Sequence, residues 1–371
     1  MLSQTSLVSL AMALALYSQS TVAKPMSPPR KAIDGPIEIS GFPDPNILGT
    51  KGSGFYAFAN EHHIKGKNVS VPVAHSKQVD AGWKLDNGSG LESLPEWAKG
   101  PDTVIGSPDV SQLSNGKYVM YFSVARPEPK PEQPQPTVQS LSPMESNAPD
   151  KQGKHKEHKQ HCVGIAYSNH PAGPYEPTNQ PFHCTKGEKE DDLINPKSVI
   201  FNNTRHLLYK NNTSADAAKT SRLLLQEVDQ NEGKNLVGKP HDLIHPYPQE
   251  KTGQNGTKHS DHRTQGHAIL QNPQTQGYVL VYVTGEPKKN DFQIDYATSA
   301  TLTGKFEHQG TIVKTGDYAG VKITSPGGPQ FMDGNPTTML FTSEQQGDKK
   351  KHRQLFVAHL KFDGQKVELD S

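Results

Sequence analysis

An all-β fold, a five-bladed β-propeller, is what the sequence predicts, and three observations carry that expectation. Gly (32) and Pro (30) are frequent and the hydrophobic fraction is low at 32%, a turn-rich profile that suits strands better than helical bundles. Strand-like runs recur with one grammar: a short strand, a turn, an aromatic-rich strand, a loop, and a third strand ending in small polar residues. Two units match more closely, since Ala166-Tyr167-Ser168 leads to Gly173-Pro174-Tyr175-Glu176 and Ala297-Thr298-Ser299 leads to Gly304-Lys305-Phe306-Glu307. Repeated sheets with no helical period between them point to a propeller, whereas a two-sheet sandwich does not require internal similarity.

Taken in order, the chain opens on an apolar run from Leu7 to Tyr17, too short to span a bilayer, followed by small residues that suit cleavage after Ala23. Residues 1–23 are therefore expected to be a signal peptide, 24–35 an N-terminal arm, and 36–371 the propeller of a secreted, extracellular protein with no membrane partner. Next comes Gly41-Phe42-Pro43-Asp44-Pro45-Asn46. Two prolines fix φ and remove two donors, so this is an extended lead-in that holds Asp44 at the mouth of a sheet. A carboxylate on a stiff segment suits the task of orienting water. Strands follow at Phe55–Phe58 and Val71–Ser76, then Asn115-Gly116 turns into Lys117–Ser123, with Cys162–Ser168 behind it. The third unit reads Ser198–Phe201, His206–Lys210 and Arg222–Val228; the fourth, His267–Leu270, Gly277–Tyr282 and Ile294–Ser299; the fifth, Gln330–Met332, Thr338–Phe341 and Gln354–Leu360.

Residues 126–161 break the rhythm. They are dense in Pro, Glu, Lys, Gln and Ser, and cannot bury enough surface to offset their ordering entropy, so a disordered insertion is expected there. A second loose stretch spans about Gln249 to Arg263. His155, His158 and His161 read as part of a solvated charge run rather than a metal site. The two cysteines, Cys162 and Cys184, are expected to form one disulfide in an oxidising compartment, worth about 3 kcal/mol. Sequons at Asn68, Asn87, Asn202, Asn211, Asn212 and Asn255 agree with export. Lys plus Arg (39) and Asp plus Glu (38) balance, so no net field steers nucleic acid toward the chain.

At this point the ordered motifs resemble glycoside hydrolase family 43. They are Pro43-Asp44-Pro45, Ser107-Pro108-Asp109-Val110 before Gly116-Lys117-Tyr118, the run from His161 to Ser168, Ile194-Asn195-Pro196, Leu225-Gln226-Glu227-Val228, Tyr296-Ala297-Thr298-Ser299, Thr315-Gly316-Asp317-Tyr318 and Ser325-Pro326-Gly327-Gly328. The resemblance covers about residues 36–363 and implies a five-bladed propeller acting on arabinan, arabinoxylan or xylan. Such enzymes invert: one carboxylate activates water, a carboxylic acid protonates the leaving oxygen, and the two stand roughly 6.5–9.5 Å apart. By motif, Asp44 looks like the base and Asp109 like the carboxylate that tunes the acid and places the sugar.

The family's acid glutamate opens the fourth unit. Here the stretch reads Arg263-Thr264-Gln265-Gly266-His267, with Gln265 at the acid's place. An amide has no proton to give at a workable pH. Two further departures are Asn195, where the family has Asp, and Gly106-Ser107, where a tryptophan is usual. Family membership implies a working hydrolase, with Glu286, Asp261 or His267 as displaced acid. The substitutions imply a sugar-binding propeller that has lost turnover. Asn195, His267 and Arg353 are candidate substrate-binding residues, and the pair His62-His63 a candidate subsite wall. Phe55, Tyr118 and Tyr278 are expected to pack between blades. No zinc spacing or carboxylate cluster argues for a metal, and no cofactor is implied. The expected partner of this monomer is a polysaccharide or oligosaccharide.

Overall fold

The computed structural model describes residues 31–37, 42, 45–50, 52–60, 62–64, 67–100, 103–125, 160–185, 191–213, 220–244, 265–285, 291–332, 334–344 and 353–370. The expected signal peptide, most of the arm, all but Gln160 and His161 of the expected insertion, and the Gln249–Arg263 stretch lie outside them.

The architecture is a five-bladed β-propeller. After β1 (Ile33–Ile37), the first blade holds β2 (Asn46–Thr50), β3 (Gly54–Phe58), the side hairpin β4 (His62–Ile64) and β5 (Lys67–Val69), then β6 (Pro72–Ser76) and β7 (Lys84–Ser89). Blade 2 is β8 (Ile105–Gln112), β9 (Tyr118–Ala125), β10 (His161–Ser168) and β11 (Glu176–Pro177). Blade 3 is β12 (Asp191–Phe201), β13 (Thr204–Thr213), β14 (Thr220–Val228) and β15 (Leu236–Ile244). Blade 4 is β16 (Gln265–Gln271), β17 (Tyr278–Thr284), β18 (Gln293–Ser299) and β19 (Glu307–Val313), followed by a hairpin of β20 (Gly316–Tyr318) and β21 (Val321–Ile323). Blade 5 is β22 (Gly327–Met332), β23 (Asn335–Glu344) and β24 (Arg353–Asp363), with β25 (Lys366–Leu369) beside β24.

In each blade the first strand is innermost, and the inner strands β2, β8, β12, β16 and β22 touch one another in turn to close the ring. The fifth blade takes its fourth strand from the other end of the chain: β1 pairs antiparallel with β24, Ile33 opposite Ala358. This closing strand straddles the expected boundary at residue 36. His359 strengthens the closure, with Nε2 2.8 Å from Asp34 Oδ2 and its backbone N–H donating to the Ala32 carbonyl.

Five apolar clusters fill the five blade junctions, and strand periodicity explains them. Successive side chains point to opposite faces of a strand, so each middle strand serves two neighbours. Along β9, Tyr118, Met120 and Phe122 pack toward blade 1, while Val119 and Tyr121 pack toward blade 3. Along β17, Tyr278, Leu280 and Tyr282 face blade 3, while Val279, Val281 and Val283 face blade 5. Both faces being covered, these strands read as unbroken apolar runs. Tyr118 and Tyr278 thus pack between blades, with Phe55 half-buried at the junction of blades 5 and 1. Ala166–Ser168 and Ala297–Ser299, the two similar stretches, close the third strands of blades 2 and 4. The disulfide Cys162–Cys184 ties β10 to the segment after β11, closing 22 residues.

Candidate active site at the inner strand ends

Four inner strands open on one local device. The ladder slips between Gly106 and Asp109 in β8, Ile194 and Lys197 in β12, Gln265 and His267 in β16, and Gly327 and Gln330 in β22. Inside each slip one residue takes a left-handed backbone: Ser107 (φ 48°), Asn195 (φ 56°), Gly266 (φ 57°) and Gly328 (φ 56°). Glycine adopts this freely, while a residue with a Cβ is held there at about 1–2 kcal/mol, less for Asn. Strain of this kind collects where a site needs a fixed backbone. The following residue is buried in every blade, as Pro108, Pro196, Pro329 and, in blade 4 alone, His267. The third residue is Asp109, Lys197, Ala268 or Gln330. In sequence the first blade repeats the pattern as Asp44-Pro45-Asn46, with Pro45 and Asn46 buried. Asp44 itself lies outside the described residues.

The third residue of this device ties one blade to the next. Gln330 Oε1 of blade 5 accepts from the Ile47 N–H of blade 1 at 3.0 Å. Asn46 Oδ1 of blade 1 accepts from the Val110 N–H of blade 2 at 3.2 Å. Asp109 Oδ2 of blade 2 accepts from the Ser198 N–H of blade 3 at 2.7 Å. Asn46 Nδ2 links the three side chains, donating to Asp109 Oδ1 at 2.8 Å and to Gln330 Oε1 at 3.3 Å. Lys197 adds its ammonium 3.5 Å from Asp109 Oδ1. Asp109 is 4% exposed and both its oxygens are engaged by protein. It is therefore a carboxylate that fixes its neighbours, two residues deeper than the half-buried Ser107 and Asn195.

Asn195 meets the device of blade 2 directly. Its Oδ1 accepts from Ser107 Oγ at 2.7 Å and its N–H donates to Ser123 Oγ at 2.9 Å. The Ser107 N–H in turn donates to Asn60 Oδ1 at 2.6 Å, which brings in the end of the first blade's second strand. Arg205, fully buried on β13, donates to Ser111 Oγ and Ser198 Oγ at 2.5 Å each and to the Gln112 carbonyl at 2.6 Å. Blades 1, 2 and 3 are thus joined at the strand openings by Asn195, Ser107 and Asn60, and blades 2 and 3 again toward the far end by Arg205.

His267 departs from the expectation that it binds substrate or acts as an acid. It is 1% exposed, with Nε2 3.4 Å from the Leu208 carbonyl of blade 3, and occupies the position on β16 where the other blades place proline. Burial, then the positive charges of Lys197 and Lys210, lower its pKa from 6.5 to about 3, so it is neutral at ordinary pH. Burial also lowers His183 and His206. Each binds its proton more weakly folded than unfolded. Their contribution to stability is present above 6.5 and is lost as pH falls from 6.5 toward 3 for His267. One such group costs about 1.4 kcal/mol per pH unit across that window. His267→Leu is expected to flatten the acid side of a plot of urea midpoint against pH. An unchanged slope would remove His267 from the explanation.

Arg353 stands at the start of β24 beside the opening of β22. Its guanidinium is 15% exposed and is committed to structure: Nε donates to Thr342 Oγ1 at 2.9 Å, and Nη2 to the carbonyls of Ser325 at 2.9 Å and Thr342 at 3.0 Å. It holds Ser325, another left-handed residue (φ 51°). Gln265 begins β16, paired with Val283; its side chain, Glu286, Asp261 and the side chains of His62 and His63 lie outside the described residues. A cavity of about 120 Å³ lined by Asn272, Tyr278, Thr298 and Gln365 lies at the opposite end of β16 from Gln265, so it is separate from these strand ends. Asn46, Ser107, Lys197 and Gln330 escaped sequence reasoning. Three units, those of Ser107, Asn195 and Gly328, place a proline between a left-handed residue and a polar one, and in sequence the first unit repeats the proline as Pro45 before Asn46.

The arrangement presents the first residues of the device, four of them described and half-buried, on a backbone braced by buried bonds. The sequence model of glycosyl hydrolases family 43 matches residues 33–367. No curated protein matches the sequence. Among solved structures, the native arabinanase of Bacillus subtilis superposes with a TM-score of 0.60 at 15% identity, covering 89% of this chain and 97% of that one. An endo-1,4-β-xylanase of Bacteroides thetaiotaomicron gives 0.58 at 16% identity over 90% and 97%. An α-L-arabinanase of Cellvibrio cellulosa complexed with arabinohexaose gives 0.58 at 13% identity over 90% and 96%. At these identities the likeness is one of fold.

Proposed function

The chain belongs to glycosyl hydrolase family 43, and from that premise we propose that it engages a pentose-containing plant cell-wall polysaccharide at the inner strand ends, with the acid step of hydrolysis impaired. The observation that carries the second part is Gln265, an amide at the opening of the fourth inner strand where the family's acid stands. Asp44 is the base that orients water for inversion. Asp109 acts at one remove: by holding Asn46 it sets the strand that Asp44 leads into. Asn195, in the third blade, replaces a second carboxylate with an amide. General acid catalysis is worth roughly 10²–10⁴-fold, so an amide at residue 265 leaves binding without ordinary turnover. The pentose assignment is supported by the names of the structural neighbours, an arabinanase and a xylanase among them.

A working hydrolase with a displaced acid is the reading that family membership favours. Of its candidates, His267 is set aside by burial and by its neutral state, which leaves Glu286 and Asp261. In either reading the protein is exported and acts as a monomer on its glycan. Calorimetric titration with arabino- and xylo-oligosaccharides tests the proposal. We expect one of these series to bind and gluco-oligosaccharides to give no heat. Folded protein that binds neither pentose series would overturn it.

A further inference from the structure

The sequons do not share one environment, and the fold sorts them. Asn87 is exposed on β7, the outer edge strand of blade 1, and a Cβ added at the neighbouring Gly88 would meet nothing within 4 Å. Asn202 is exposed in the two-residue turn it forms with Asn203, at φ 48° and 60°. That turn closes β12 at the end opposite Asn195. Asn211 differs. It sits within β13, paired between Leu193 of β12 and Arg222 of β14, and its side-chain Oδ1 is buried. Asn68, exposed in the β4–β5 hairpin, is held by contacts of its own. The side chains of Asn212 and Asn255 lie outside the described residues.

We infer that Asn87 and Asn202 carry N-linked glycans in the exported protein and that Asn211 does not. The transfer joins Asn Nδ2 to C1 of an oligosaccharide carried on a lipid pyrophosphate. The C1–O bond breaks, the lipid pyrophosphate leaves, and the amide proton passes to the transferase's base. Both sites are exposed: Asn202 lies at the end of β12 opposite Asn195, and Asn87 lies on the outer edge strand of blade 1, away from the inner strands.

Each glycan also meets a surface that gains from cover. Among the described residues β7 pairs only with β6, so its outer edge is a template for pairing with another chain. A glycan at Asn87 blocks that edge sterically. Ile200, two residues before Asn202, is 47% exposed, one of three large apolar side chains exposed among the described residues. The apolar face of a sugar ring at Asn202 covers it.

The test is expression of the full chain in a eukaryotic secretory host, enzymatic glycan release in heavy-oxygen water, and peptide mapping. Released sites become labelled Asp. We expect label at Asn87 and Asn202 and none at Asn211. Asn87→Gln and Asn202→Gln should each remove one glycan, and Asn211→Gln none. Asn87→Gln should also raise the rate of heat-induced aggregation several-fold; an equal rate would remove the edge-covering role. Ser89→Ala is a poor control, because Ser89 Oγ accepts from the N–H groups of Val71 and Leu91. Exported protein with neither Asn87 nor Asn202 labelled, or with Asn211 labelled, overturns the inference. Replacing the leader with the host's own keeps the test valid should the native leader fail to direct export.

Discussion

Gln265→Glu is expected to raise the rate of polysaccharide hydrolysis by roughly 10²–10⁴-fold, the range that a positioned general acid contributes. Residue 265 opens the inner strand of blade 4, and the slip between Gln265 and His267 fixes that opening in the same way as in blades 2, 3 and 5. An amide there can hydrogen-bond a glycosidic oxygen but cannot protonate it as the bond breaks. A carboxyl group restores the proton source by exchanging the amide nitrogen for an oxygen, with no change in side-chain length. The variant should show a bell-shaped pH profile. Its alkaline limb reports loss of the proton from Glu at 265, and its acid limb reports protonation of the base, Asp44. Product anomers followed by NMR should be inverted. Adding Asn195→Asp, which returns the family's carboxylate to the third unit, should raise the rate further. If both variants still bind oligosaccharide and both stay inert, the amide is not what limits turnover.

Asp109→Ala is expected to destabilise the fold by about 3–5 kcal/mol, the cost of removing one partner from a buried charged network. The change leaves the Ser198 N–H without its acceptor, frees one end of the Asn46 amide and strips Lys197 of its counter-charge, all within one buried cluster. The loss falls on the junctions of blades 1, 2 and 3 together, so the midpoint of urea unfolding should drop without a second transition. Asp109→Asn, which keeps the shape but not the charge, should cost less. Ligand binding should weaken in both variants, since Asn46 holds the strand that Asp44 leads into. A midpoint unchanged by Asp109→Ala would mean that the network does not stabilise these junctions.

The fold was legible where strands are buried on both faces. β9 and β17 show as unbroken apolar, aromatic-rich runs because each fills two blade junctions, and these runs gave the count of blades. The fourth strands were not legible. β7, β15 and β19 are outer edges with few buried positions, and their polar sequences Lys-Leu-Asp-Asn-Gly-Ser, Leu-Val-Gly-Lys-Pro-His-Asp-Leu-Ile and Glu-His-Gln-Gly-Thr-Ile-Val carry no clear period. The ring closure was hidden for another reason. Ile33 finds its partner at Ala358, and nothing local in either stretch announces so distant a pairing.

At the site, Asp44, Asp109 and Asn195 were visible as motifs, but their register was not. Proline stands at the second position of the device in four blades, while blade 4 puts His267 there, and that exception concealed the repeat. Once blades are aligned on the buried second residue, Asp109 belongs with Asn46, Lys197 and Gln330, the residues that tie blades, and Asn195 belongs with Ser107. Arg353 stood out in the sequence as the match to a family arginine and His267 as a titratable group two residues from Gln265. What the sequence did not show is that Arg353 donates to the Ser325 carbonyl and that His267 lies against the Leu208 carbonyl, since a buried guanidinium or imidazole takes backbone carbonyls as its partners when they are in reach.

The leaving-group dependence of hydrolysis by the unaltered protein tests the central claim most directly. A dinitrophenyl pentoside departs without needing a proton, whereas a sugar hydroxyl does not. If Asp44 still activates water and residue 265 supplies no proton, the aryl pentoside is hydrolysed while arabinan and xylan are left intact. Release of arabinose or xylose from the polysaccharide at a rate matching that of the aryl substrate would contradict the account, because an acid would then be at work that Gln265 cannot be.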